Sequence, residues 1–321
     1  MLGRRILVPL DGSPFGRRAL PLASQIASQT EGTIHLVSVK TPWPLTDVPP
    51  AASTVIGEVD QGLTEGLERH LAEAADWLRR AGIEARTELR VGMVEDEILD
   101  ACDATGCDLI AMSTHGRGGF QRLWLGSVAD RVARHAHVPV LLVPARDEEG
   151  AGRGDALAEL AADATATAIR TVIVPLDGSE FAEQALAPAT AIGEMFGADY
   201  VLFRAVPPRL IVGSPYMAHA VHVEKDLLEI ERAAAKRDLE VVSDRLAESG
   251  YRSTVTLSEQ AEPVDALLRL ANGEQDTMVV MTTHGRGGLR RAILGSTADK
   301  VIRGARRPIL LVRPEETEQD R

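Results

Sequence analysis

Five short apolar runs punctuate the first half of the chain, at Ile6–Pro9, Thr33–Val39, Ile83–Leu89, Leu109–Met112 and Val138–Val143. The stretches between them have helical period instead. Leu63, Leu67, Leu71, Ala74 and Leu78 recur three or four residues apart, which places them on one helix face. The same order returns at Thr171–Pro175, Tyr200–Val206, Tyr251–Leu257, Thr277–Met281 and Pro308–Val312, with Leu228, Ala235, Leu239, Val242 and Leu246 on a second long helix. Strands alternating with helices predict an α/β fold whose parallel sheet is covered on both faces. The expected architecture is two doubly wound, Rossmann-like domains, 1–144 and 171–314, each with a five-stranded parallel sheet. Residues 145–170 are rich in Ala, Asp, Glu and Gly and read as a linker, with Ala156–Ala162 a candidate short helix; 315–321 reads as a frayed tail.

The two halves are copies. Aligned without gaps, Ser113–Val143 and Thr282–Val312 share 19 of 31 positions, which marks a duplicated domain. Each copy runs from an apolar strand into glycines and then into a helical segment. The first loop holds Ser113, His115, Gly116, Arg117, Gly118 and Gly119, then Gly126 and Ser127. The second holds Thr282, His284, Gly285, Arg286, Gly287 and Gly288, then Gly295 and Ser296. Glycines let a ligand approach the backbone closely, and a helix start presents unpaired N–H groups at a positive dipole end. Together they form an anion cradle suited to phosphate. Ser127 and Ser296 fall where the helix should begin, suited to capping it or to meeting a phosphate oxygen. Arg117 and Arg286 match phosphate geometry, and His115 and His284 read as loop-organising donors. No Lys-Ser/Thr follows the glycines, so the loop is not a Walker A motif, and its spacing is not the Rossmann fingerprint.

Each half also opens with a strand and an acidic turn, Asp11-Gly12-Ser13 and Asp177-Gly178-Ser179. These aspartates suit either a turn-closing bond or a ligand contact. In a doubly wound sheet, ligands collect beyond the carboxyl ends of the strands, where the acidic turn and the glycine loop should meet. Loops Thr41–Pro50 and Pro207–Pro215 should border the same crevice.

Gly116, nine residues, Gly126-Ser127, repeated as Gly285, nine residues, Gly295-Ser296, resembles the nucleotide loop of the universal stress protein family. The ATP-binding members carry Gly-x-x-Gly, nine residues, Gly-Ser/Thr; Ser113 and Thr282 stand at the first glycine position. The resemblance covers nearly the whole chain outside the linker and tail. It implies an adenine-nucleotide alpha hydrolase-like fold binding ATP with Mg²⁺, with Asp11 and Asp177 at the adenosine end and Val39 and Val206 meeting adenine through the backbone. Gly92 resembles a family glycine near the nucleotide, and its counterpart is Ala261. The implied role is a nucleotide-dependent stress-response regulator that binds rather than turns over its ligand. Also implied are pairing through the last strands, between chains as a homodimer or within one chain, and a protein partner of unknown identity. The alternatives are an enzyme of related architecture that cleaves or transfers phosphate or adenylate, and a nucleotide-free dimeric scaffold. Against the enzyme, the sequence presents no nucleophile–base pair, metal–carboxylate set or loop lysine, so no catalytic or metal-ligating residue is assigned.

Composition narrows this reading. Of the net charge of −12, −4 falls on residues 1–144, −3 on 145–170 and −5 on 171–321, so neither domain has the basic balance of a nucleic-acid binder. The two cysteines, Cys102 and Cys107, have no metal-ligand spacing and read as buried structural thiols. With no signal-peptide pattern and no long apolar run, the expectation is a cytoplasmic protein that does not enter the membrane. His70, His135 and His137 read as surface or helix-end residues, and Trp124, opposite Ile293, as packing or interface.

Overall fold

All ten apolar runs become strands. The computed structural model describes residues 2–42, 50–114, 125–144, 168–206, 220–258, 262–283 and 294–314, with the backbone alone at 50–54 and 220–227. The chain divides into two units, Met1–Ala168 and Ile169–Arg321. Unit 1 contains β1 (Arg5–Pro9), α1 (Leu20–Thr30), β2 (Thr33–Lys40), α2 (Pro50–Arg80), β3 (Glu84–Val91), α3 (Val94–Thr105), β4 (Leu109–Ser113), α4 (Ser127–His135) and β5 (Val140–Val143). A 3-10 turn, Gly16–Ala19, leads into α1. Unit 2 contains β6 (Thr171–Pro175), a single helical turn (Glu180–Glu183), α5 (Leu186–Phe196), β7 (Asp199–Ala205), α6 (Ala220–Glu248), β8 (Ser253–Ser258), α7 (Pro263–Gly273), β9 (Thr277–Thr282), α8 (Ser296–Gly304) and β10 (Ile309–Val312).

Within unit 1 the strands lie in the order β3-β2-β1-β4-β5, all parallel. Unit 2 repeats this as β8-β7-β6-β9-β10. The central strands are buried on both faces: Ile6, Leu7 and Val8 of β1, and Leu109, Ile110 and Ala111 of β4, have no exposed surface. That is why they are continuous apolar runs rather than alternating ones. β3, last in the order of its unit, is only partly covered, and Val91 at its end is exposed. The helical stripe reads through directly. Leu67, Leu71, Ala74 and Leu78 are buried under α2, as are Ala235, Leu239, Val242 and Leu246 under α6. Each such leucine stabilises its unit by about 2–5 kcal/mol relative to alanine.

One expectation is corrected here. Cys102 and Cys107 are not free thiols; they form a disulfide, with Cα atoms 5.0 Å apart. Burial was read correctly, at 4% and 7% exposure. The pairing was missed because it depends on how α3 ends. Gly106 takes a left-handed conformation (φ 59) and folds the chain back so that the two residues meet. Among the described residues, no helix is long and apolar enough to cross a membrane.

Candidate functional site

Parallel pairing in the order β3-β2-β1-β4 brings four strand ends to one edge of the unit 1 sheet. In sequence these are Gly92, Val39, the Asp11 turn, and Ser113 with Thr114. Leu10 N donates to Val37 O (2.8 Å), and the fully buried Ser38 hydroxyl donates to Leu10 O (2.8 Å), so the departing chain is held against β2. Gly12 then turns with φ 81, a conformation open mainly to glycine. Asp11 Oδ1 accepts the Ser13 amide (2.9 Å) and hydroxyl (2.7 Å), and Ser13 Oγ accepts Gly16 N (3.1 Å).

Unit 2 repeats the device. Asp177 Oδ1 accepts Ser179 N (3.0 Å) and Oγ (2.6 Å), Ser179 Oγ accepts Ala182 N (3.2 Å), and Gly178 has φ 83. One carboxylate oxygen of each aspartate is therefore committed to the turn. The turn-closing reading of these residues is thereby met: the bonds fix the carboxylate at the strand end.

β4 delivers the other half of the corner. Thr114 N donates to Val143 O (3.0 Å) and Gly126 N donates to Thr114 O (2.9 Å), so both ends of the glycine loop are held together. Unit 2 matches with Thr283 N to Val312 O (2.9 Å) and Gly295 N to Thr283 O (2.9 Å). Ser113 and Thr282 end their strands with buried side chains, at 8% and 6% exposure. Extended backbone there needs no glycine, which accounts for their departure from the glycine pattern.

α4 starts at Ser127 and α8 at Ser296, one residue earlier than a capping serine requires. Gly126 (φ −58, ψ 144) and Gly295 (φ −59, ψ 147) are the N-caps, with no side-chain cap bond. The capping reading of the two serines is therefore replaced: they are exposed residues of the first turn, flanking its N–H groups. Residues His115, Gly116, Arg117, Gly118, Gly119 and Trp124, with His284, Gly285, Arg286, Gly287, Gly288 and Ile293, lie outside the described residues. So do Ala261 and most of both proline-rich loops.

Side chains that the sequence reading passed over line the β2–β3 side of unit 1. Gly92 N donates to Lys40 O (3.0 Å), and the Glu97 carboxylate packs against Gly92 where a Cβ would sit. Lys40 Nζ reaches Asp60 Oδ2 (2.7 Å) and Thr64 Oγ1 (3.1 Å) on α2. Arg90 links Glu88 (2.9 Å) and Glu97 (3.4 Å), and His35 Nε2 meets Glu88 (3.0 Å). Only the β2–β3 register (Val39↔Arg90, Lys40↔Val91) brings these together; no local motif signals it.

His70 is a second correction. It is half-buried, not a surface residue, and meets Arg17 Nε at 3.0 Å; Arg17 Nη2 also pairs with Glu73 Oε2 (2.7 Å). Arg17, 5% exposed, thereby ties the 3-10 turn after Asp11 to α2. Six residues after Asp177, unit 2 has Glu183 instead, paired with Arg245 of α6 at 2.6 Å. Unit 2 thus also ties this turn to its long helix, by an exposed pair of reversed sign at a different helix position: with the core stripes aligned, Arg245 matches Trp77, not Glu73. His135 and His137 are exposed, as expected.

An acidic turn and a closed loop stem at the carboxyl edge of a doubly wound parallel sheet, built twice in one chain, define a class of tandem α/β proteins. The family model of the universal stress protein family matches residues 3–144 and again 168–313. The chain belongs to that family, as a tandem member. Among relatives, a universal stress protein of Mycolicibacterium smegmatis is 26% identical over 320 residues, covering 96% of this chain and 97% of its own. One of Methanocaldococcus jannaschii is 33% identical over 145 residues, 44% of this chain and 82% of its own. The crystal structure of a universal stress protein from Archaeoglobus fulgidus matches with TM-score 0.68 and 22% identity, over 98% of this chain and 99% of that one, and supports the fold.

Proposed function

We propose that each unit binds one adenine nucleotide, ATP with Mg²⁺, and that the chain acts as a stress-response regulator through its nucleotide-bound state. The observation that carries this reading is the duplicated corner: Asp11 fixed by Ser13 beside the joined stems Thr114 and Gly126, and the same arrangement at Asp177, Ser179, Thr283 and Gly295. In this reading adenosine lies along Val39 and Asp11 in one site, and along Val206 and Asp177 in the other. The phosphates lie along Gly116–Gly119 and Gly285–Gly288 and toward the first turns of α4 and α8, where backbone N–H groups and the dipole favour negative charge. Among the described residues, no group of three or more His, Cys, Asp or Glu is placed to hold a metal. Mg²⁺ accordingly arrives on the phosphate oxygens and keeps most of its water, its usual habit. The same proposal includes self-association of two chains through their last strands, β5 and β10.

Titration calorimetry of the full chain with ATP and Mg²⁺ tests the reading. Two sites per chain are expected, without turnover above that of a loop variant. A stoichiometry of one would restrict the function to a single unit; no binding, or steady turnover, would reject it.

A further inference from the structure

The disulfide sits at the end of the unit 1 sheet away from the candidate site. At the close of α3, Gly106 N donates to Asp103 O and Cys102 O, and Cys107 N donates to Cys102 O (2.9 Å). This is a Schellman ending, in which the side chains three residues before and two after the cap meet in an apolar contact. Here the two meeting side chains are Cys102 and Cys107.

Backbone hydrogen bonds therefore hold the sulfurs together whether or not they are bonded. The helix end is complete in both states, so the bond can form and break without refolding the unit. Arg5 adds a second feature: its guanidinium lies over Gly106, with Nη1 2.9 Å from where a Cβ would stand. It covers the cap glycine that stands between the two cysteines. Asp108 is occupied by the amides of Gly3 (2.7 Å), Arg4 (3.1 Å) and Arg5 (3.2 Å), and Asp103 points into solvent. Both sulfurs are covered, but Asp103 and Ala104 between them are exposed, so opening the last helical turn is enough to admit a small reagent. In unit 2, Ala271 and Asp276 stand at the two cysteine positions, and α7 ends without a left-handed cap.

We propose that Cys102–Cys107 is a reversible thiol–disulfide site, confined to unit 1, that exchanges with low-molecular-weight disulfides and thiols. In the oxidising direction, one cysteine thiolate attacks a sulfur of the small disulfide, forming a mixed disulfide and releasing one small thiolate. The second cysteine, as thiolate, then attacks the protein sulfur of that mixed disulfide and releases the second small thiolate. The two protons lost by the cysteines end on the two released thiols. Two protein thiols are thereby oxidised to one disulfide while one small disulfide is reduced to two thiols, and excess thiol reverses both steps.

The test equilibrates the full chain across glutathione buffers, approached from the oxidised and the reduced side. It is then quenched in acid, alkylated with N-ethylmaleimide under denaturing conditions and weighed intact. The expected result is one transition between chains carrying no label and chains carrying two, at the same buffer ratio from either side. Cys102→Ser, and separately Cys107→Ser, should stop at a single glutathione adduct on the remaining cysteine. Oxidation should raise the melting of unit 1 by about 5 °C and leave unit 2 unmoved. Two labels at every ratio, or none even at the reducing end, would overturn the proposal, as would equal melting of both redox forms.

Discussion

Arg17 is a cation almost sealed from solvent, and its two partners are on another element. Replacing it with methionine keeps the bulk but strands His70 and Glu73. Because Glu73 remains about half exposed, the expected cost is about 2 kcal/mol rather than that of a fully buried pair. The counterpart change, Glu183→Ala, removes a pair whose side chains are 39% and 54% exposed; its cost should stay within about 0.5 kcal/mol. Thermal denaturation of the two variants makes the comparison, and equal losses would show that Arg17 is not a strut. A pH effect belongs to unit 2. Burial pushes the Tyr200 phenol well above its ordinary value of 10.0, with Tyr251 and Glu194 adding to the rise; Tyr251 is itself raised by its hydrogen bond to Glu194. A folded value above the unfolded one means the stabilisation is intact below pH 10 and falls as pH climbs toward the folded values. Denaturant titrations from about pH 9 to 11 should show that decline, and Tyr200→Phe should flatten it. An unchanged slope in the variant would assign the effect elsewhere.

At the scale of elements, the strands were legible because burial on both faces writes them as apolar runs. β1, β4, β6 and β9 fall within a residue of the expected spans. The edges were less sharp. Pro139 has no N–H to give a ladder, so β5 starts at Val140, not Val138. With exposed positions, β3 runs two residues and β8 one residue past the expected ends. What sequence could not reach were contacts set by register and by helix ends: the Lys40–Asp60 bridge, Glu97 over Gly92, and the meeting of Cys102 with Cys107. The site was half legible in the same sense. Its acidic turns and loop stems are local motifs, whereas the choice of Gly126 over Ser127 as N-cap depends on where the first helical turn closes. The loops themselves yield a direct prediction. Gly116→Val and Gly285→Val should each abolish binding in their own unit and leave the other intact, because a β-branched residue resists positive φ and blocks close backbone approach. Circular dichroism should stay near that of the wild type. Loss of both sites from either single change would contradict independent crevices.

For the whole molecule, the repeat was the most informative part of the sequence, since 19 shared positions in 31 turn a length into a domain plan. The proposed self-association gives a plain expectation in sedimentation velocity: twice the chain mass of 34.5 kDa at micromolar concentration. A species of single-chain mass would remove the last strands from consideration as an interface between chains. Duplication also creates a hazard during folding. Long helices with matching core stripes, α2 and α6, emerge from one chain beside two similar sheets, and each is a plausible tenant for the wrong one. Arg17 works against that error in unit 1, because it is almost sealed from solvent and meets His70 and Glu73 of α2. Aligned by its core stripe, α6 in the place of α2 would set Val241 where Glu73 stands, so Arg17 would lose that partner. A nearly buried charge thus ties the turn of unit 1 to its own helix, whereas the exposed Glu183–Arg245 pair adds little to that choice in unit 2.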